Sequence, residues 1–117
     1  MPARRASVRG YSYARRLEKT AEDAFVKQAR AAGYLTRKMN GLGNASWPDQ
    51  LVIGHGFSLF IEFKREGEDL TELQKDCHHE LKRRGHCVYV ARTKTEAWHA
   101  VLHAAKTHAV QAIGFLQ

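Results

Sequence analysis

The chain has 117 residues, enough for one domain around a single core and too few for two. Nineteen Lys and Arg against twelve Asp and Glu give a formal charge of +7 and a pI near 9.7, a balance that suits polyanionic partners, nucleic acid first. No apolar run approaches a bilayer span, no hydrophobic segment follows the basic N-terminus, and Cys77 and Cys87 form no CxxC motif, so an intracellular, cytoplasmic setting is expected.

Residues 1–19 read as a basic arm, with Arg4, Arg5, Arg9, Arg15, Arg16 and Lys19 against the lone acid Glu18 and with Tyr11 and Tyr13 interleaved. That composition suits phosphate contact and base stacking; arginine-rich tails are also commonly just solvated. The globular domain is expected from residue 20 to 117. Thr20 reads as an N-cap with Asp23 three residues on, opening a helix from about Ala21 to Ala32 that stops at Gly33. Phe25, Val26 and Ala29 form its buried stripe, and Glu22 lies three and four residues before the first two. Glu22 is therefore expected on the core-facing side, although a first-turn Glu is also welcome on dipole grounds.

Tyr34 to Met39 is expected to form a first strand, and the small-residue loop Asn40–Trp47 leads to Pro48. The stretch from Pro48 to Lys64 then reads as a hairpin, because β-branched and aromatic residues flank Gly54-His55-Gly56, which can supply a positive φ. A turn centred on His55-Gly56 pairs residues whose numbers sum to 111: Ile53 with Ser58, Leu51 with Phe60, Asp49 with Glu62. Two carboxylates then face one another about 5 Å apart and repel by roughly 3 kcal/mol at an effective dielectric near 20. A pair kept ionised there calls for a divalent cation, and oxygen ligands favour Mg²⁺ or Mn²⁺. Period-two geometry puts Lys64 on the face of Glu62. On these residues alone a plainer reading stands beside this one: Glu62 pairs with Lys64 at a strand end, and Asp49 is a turn acid after a proline.

Arg65 to Leu70 is a polar turn. Thr71-Glu72-Leu73-Gln74 has capping-box spacing and opens a helix to about Arg84, closed by Gly85, with Leu73, Cys77 and Leu81 as the expected apolar stripe and Gln74 beside the buried edge. His86 to Ala91 is a fourth strand. Thr93 to Glu96 repeats the capping spacing and opens a helix to about Lys106, with Trp98, Val101, Leu102 and Ala105 facing in; Val110 to Gln117 is expected as a short strand or packed coil. His99, His103 and the Cys77-His78-His79 run offer no persuasive zinc spacing and read better as surface residues. The hairpin is apolar on both faces, so helices must cover the sheet on both sides, giving an α/β domain in the order helix, three strands, helix, strand, helix.

Glu22 on a helix, Pro48-Asp49, Glu62-Phe63-Lys64 twelve intervening residues later, and a helix opening with Gln74 together resemble the PD-(D/E)XK nuclease superfamily. Within it, Ile61-Glu62-Phe63-Lys64-Arg65, Leu70-Thr71 with Gln74, and Gly85 with Val88-Tyr89-Val90 resemble the virus-type replication-repair nuclease (VRR-NUC) domain, over about Thr20 to Ala105. The resemblance implies a restriction-endonuclease-like αβββαβ core, a mixed four-stranded sheet flanked by helices, with an additional C-terminal helix. It also implies a Mg²⁺- or Mn²⁺-dependent DNA endonuclease: Asp49, Glu62, the Phe63 carbonyl and Glu22 toward the metal, Lys64 as base or electrostatic partner, and Gln74 as a polar site residue. Tyr is frequent four residues after that Gln in related nucleases, and His78 stands there in this chain. Cleavage of branched, Holliday-junction-like DNA by a homodimer is implied by the same likeness; a non-catalytic DNA-binding module or a flap- or end-trimming nuclease are the alternatives.

Overall fold

The computed structural model describes residues 2–41 and 43–116, with side chains described for 16–41 and 43–110. Seven elements follow in order: α1 (Pro2–Ala31), β1 (Leu35–Lys38), β2 (Gln50–Ile53), β3 (Ser58–Phe63), α2 (Glu72–Arg83), β4 (Val88–Ala91) and α3 (Lys94–Leu116). The strands make one mixed sheet in the order β1-β2-β3-β4, antiparallel except for the β3–β4 pair, which the α2 crossover makes parallel.

The hairpin register is the expected one. Ile53 lies opposite Ser58, Leu51 opposite Phe60 and Gln50 opposite Ile61. Gly54 N–H donates to the Phe57 carbonyl across the turn, and Gly56 carries the positive φ, +82°. Because side chains alternate across the pleat, the register divides the strand residues between two cores. Val52, Leu59, Ile61 and Phe63 face α1 and α3, where Phe25, Ala29, Ala97, Ala100, Val101 and Ala104 meet them. Phe60 and Val88 face α2 through Leu81, with Leu51, Trp47, Met39 and Cys77 packed around them. The sheet thus has helices on both sides, as its two-sided apolar pattern requires.

Three expectations are corrected. Thr20 is no N-cap: α1 runs through it from Pro2, since the arm is rich in Arg and Ala and has no interior proline to interrupt them. The side chains of Arg4, Arg5, Arg9, Tyr11, Tyr13 and Arg15 lie outside the described residues. On α2, Leu73 is 71 % exposed and His78 is buried with Leu81, so the inward stripe is rotated from the expected Leu73-Cys77-Leu81 line. On α3, helix continues to Leu116 where a strand or coil was expected, and its inward face is alanine-rich while Leu102 points to solvent. Small side chains let α3 approach α1 and the sheet closely.

The turn glycine yields a test. A Cβ at Gly56 would add strain at φ +82° and meet His108 Nε2 at 2.6 Å. Gly56→Ala is expected to destabilise the fold by about 1–2 kcal/mol, read as a lower midpoint in urea unfolding with unchanged far-UV circular dichroism of the folded state.

Candidate functional site

The ends of β2 and β3 away from the hairpin turn gather the polar residues. Backbone pairing of the hairpin stops at Gln50–Ile61, and one residue further on the Asp49 side chain replaces it: Asp49 Oδ2 accepts the Phe63 N–H at 2.6 Å, while Oδ1 accepts from Asn40 Nδ2. The Asp49 backbone carbonyl accepts from Met39 N–H, so both sides of this residue are tied down. Glu62 stands beside it on the same face of the sheet. Asp49, Glu62 and Glu22 are all buried.

Burial and the neighbouring Glu62 charge push the Asp49 carboxyl up to about 7, against the pull of the Phe63 amide. Glu62 is also raised, by burial first, with the Asp49 hydrogen bond and the Lys64 ammonium opposing. Both shifts run the same way, so keeping the two carboxyls ionised side by side is unfavourable. Such a pair fits a hard divalent cation, which is commonly held by one or two carboxylates and water. Among the described residues no three His, Cys, Asp or Glu side chains gather into a ready-made metal cage.

Glu22 approaches from the other face of the sheet. Gln50 shares the α1 side with Ile61, and its Nε2 donates to Glu22 Oε2 at 2.6 Å; Lys38, paired with Gln50 across the β1–β2 ladder, puts Nζ on the same oxygen at 2.8 Å. Glu22 is thus within electrostatic reach of Asp49 and Glu62, and its charge raises both. Lys64 is held in place just beyond β3, where its N–H donates to the Ala91 carbonyl and its side chain is only 10 % exposed. Its ammonium lies 3.4 Å from Glu68 Oε1. Arg65 Nε also reaches Glu68, and Arg92 Nη1 donates to the Arg65 and Glu68 carbonyls at 2.6 and 2.8 Å, pinning the turn that positions Lys64.

Gln74 caps its own helix. Its Oε1 accepts the Thr71 N–H and its own N–H donates to Thr71 Oγ1, closing the capping box of α2. One turn later, His78 is the α2 side chain that reaches the acids, with Nε2 3.4 Å from Glu62 Oε1. Burial, with Lys82 and Lys64 nearby, lowers the His78 pKa, so the contact is that of a neutral imidazole rather than an ion pair. Phe63 contributes its amide to Asp49 and its ring to the core, 5.8 Å from Phe25. Lys38, Asn40 and Gln50 escaped the sequence reading. Only the β1–β2 register and the path of the 40–47 loop reveal them, although the i+4 spacing of His78 from Gln74 was available to place it on the same helix face.

No protein-family model and no curated protein matches this chain. A solved structure described as a VRR_NUC domain does match, at 26 % identity and TM-score 0.65, over 74 % of this chain and 96 % of that one. The match supports a VRR-NUC-like α/β fold with a mixed four-stranded sheet flanked by helices.

The raised Asp49 carboxyl sets a pH dependence. A carboxyl whose folded pKa lies above its unfolded value of 3.8 stabilises the fold below that value, and the contribution is lost as pH rises toward 7. In EDTA, the melting temperature is expected to fall between pH 5 and pH 8. Glu62→Gln removes the charge facing Asp49 and is expected to melt higher than wild type at pH 8, with the gap closing at pH 5; differential scanning fluorimetry across that range checks it.

Proposed function

Taking the VRR-NUC domain as the premise, we propose that this protein is a divalent-metal-dependent nuclease that hydrolyses phosphodiester bonds of DNA at the Asp49–Glu62 end of its sheet. One observation carries the reading: two acids from separate strands are buried side by side, at a position where like charges repel, with an ammonium group held on the strand beyond them. Burial of unneutralised like charges is costly, and a site that keeps them together has a use for the charge.

When bound, Mg²⁺ or Mn²⁺ supplies Lewis acidity toward the phosphate and an activated water. Asp49 and Glu62 would hold it, with the Phe63 carbonyl and Glu22 as further oxygen donors. Asn40 and the Phe63 amide orient Asp49, and His78 orients Glu62. Lys64, placed by its contact with Glu68 and by the Arg92-pinned turn, offers a positive charge where negative charge builds on the phosphate oxygens and can orient the attacking water; only in its neutral form would it instead accept that water's proton. Gln74 acts through the helix that carries His78 rather than by touching substrate.

The +7 charge supports a polyanion as substrate, and residues 1–19, a basic arm carried on the front of α1, are proposed to add phosphate contacts. Branched, junction-like DNA is proposed as the preferred substrate and a homodimer as the working form, on the family resemblance of the sequence alone. The dimer has one support of its own: Leu35, 68 % exposed, and Ile53 pair across the β1–β2 ladder and leave an apolar strip uncovered on the α2 side of the sheet. No helix among the described residues is long and apolar enough to cross a membrane.

Lys64→Ala and Glu62→Ala are expected to keep DNA affinity within about threefold and to lose cleavage by about 100-fold or more. Labelled junction, flap and linear duplex DNAs with Mn²⁺, run beside binding by fluorescence anisotropy, read both quantities. Undiminished cleavage by either purified variant would sink the assignment, and equal cutting of linear and branched DNA would remove the substrate preference alone.

A further inference from the structure

Glu22 carries two donors on one oxygen, and they are unlike. Gln50 is buried and comes from an interior strand, so its amide is fixed. Lys38 stands at the end of edge strand β1 with its side chain 52 % exposed, and reaches Glu22 Oε2 from the solvent side at 2.8 Å. It opens on a cavity of about 290 Å³ lined by Arg16, Glu18, Lys19, Glu22 and Lys38. Three cations and two acids make its walls. Glu18 is turned toward Glu68 and the Arg65 backbone, and Lys19 makes an exposed 3.6 Å contact with Asp23. The cavity is therefore net positive, Glu22 is the buried acid on its wall, and Lys38 Nζ is bonded to that acid.

We propose that this cavity between α1 and β1 is a subsite for a phosphodiester next to the one being cut, and that Lys38 is an exchangeable counter-ion, neutralising Glu22 until a divalent cation does so and then turning to the DNA phosphate. The inference rests on the nuclease reading of the same site. An ammonium on four methylenes, with three donors and no fixed geometry, can make that exchange where a guanidinium fork would not. The lysine end of the pair is half exposed but Glu22 is only 9 % exposed, so the contact is given up only once the carboxylate's charge is met from elsewhere. Gln50 keeps Glu22 in place throughout.

The test compares wild type with Lys38→Gln in two measurements. DNA affinity is taken across a NaCl series, in EDTA and in Ca²⁺ with the DNA checked intact on gels, and Mn²⁺ binding is taken by calorimetry without DNA. In Ca²⁺ the substitution is expected to reduce the slope of log K against log salt by about 0.9, one phosphate contact, and in EDTA to leave it unchanged. Mn²⁺ is expected to bind Lys38→Gln severalfold more tightly, because no ammonium competes for Glu22. Slopes unchanged in both buffers make Lys38 a plain ion pair, and slopes reduced equally in both make it a constant phosphate contact; either result overturns the exchange, as does Mn²⁺ binding no tighter than wild type. Failure of wild type itself to bind Mn²⁺ overturns the nuclease reading, and this inference with it.

Discussion

Two carboxyls held together out of water organise the working end of this molecule. Asp49 and Glu62 come from strands whose pairing ends one residue before them, and the side chain of Asp49 takes over the ladder by accepting the Phe63 amide. Left to themselves the two would separate, and the fold holds them together. Met39 and Asn40 grip Asp49, His78 stands against Glu62, and the large apolar cores on both faces keep the strands in register. Burial first, and then the neighbouring Glu62 charge, push the Asp49 carboxyl up to about 7. Pre-organised charge of this kind is what allows a site to act without reorganising during the reaction.

The polar end is built from both sides of the sheet. Asp49, Glu62 and His78 belong to the α2 face, whereas Glu22, Gln50 and Lys38 belong to the α1 face. Alternation along β2 makes this unavoidable: neighbours Asp49 and Gln50 must point to opposite sides. One consequence is that α1 and α2, which lie on opposite faces, both feed the same end of the sheet. A second is that the turn from Arg65 to Leu70 must be rigid, since Lys64 follows directly on β3 and has no helix of its own to hold it. Arg92, from the far edge of the sheet, supplies that rigidity through two backbone carbonyls.

Local rules carried much of this from the amino-acid order alone. The hairpin register followed from one glycine-rich turn, because a tight turn fixes every pair in the ladder behind it, and so the meeting of Asp49 with Glu62 was legible. The start of α2 was legible for a similar reason, since the Thr71–Gln74 capping box is closed within four residues. The inward turn of Glu22 came from helical spacing to Phe25 and Val26. Where local preference was neutral the reading slipped: nothing in residues 3–19 stops a helix, so Thr20 is passed over, and nothing in 107–116 breaks α3.

What the sequence determined by itself was therefore the order of elements, the two-sided sheet and the opposition of two acids beyond a turn, all set by spacings of a few residues. Only the tertiary structure decided which side chains surround those acids. The rotation of α2 exchanges Leu73 for His78, and the β1–β2 register brings Lys38 and Gln50 to one oxygen of Glu22. Such choices depend on how whole elements pack, and packing compares surfaces far apart in the chain, where no local pattern reports the outcome.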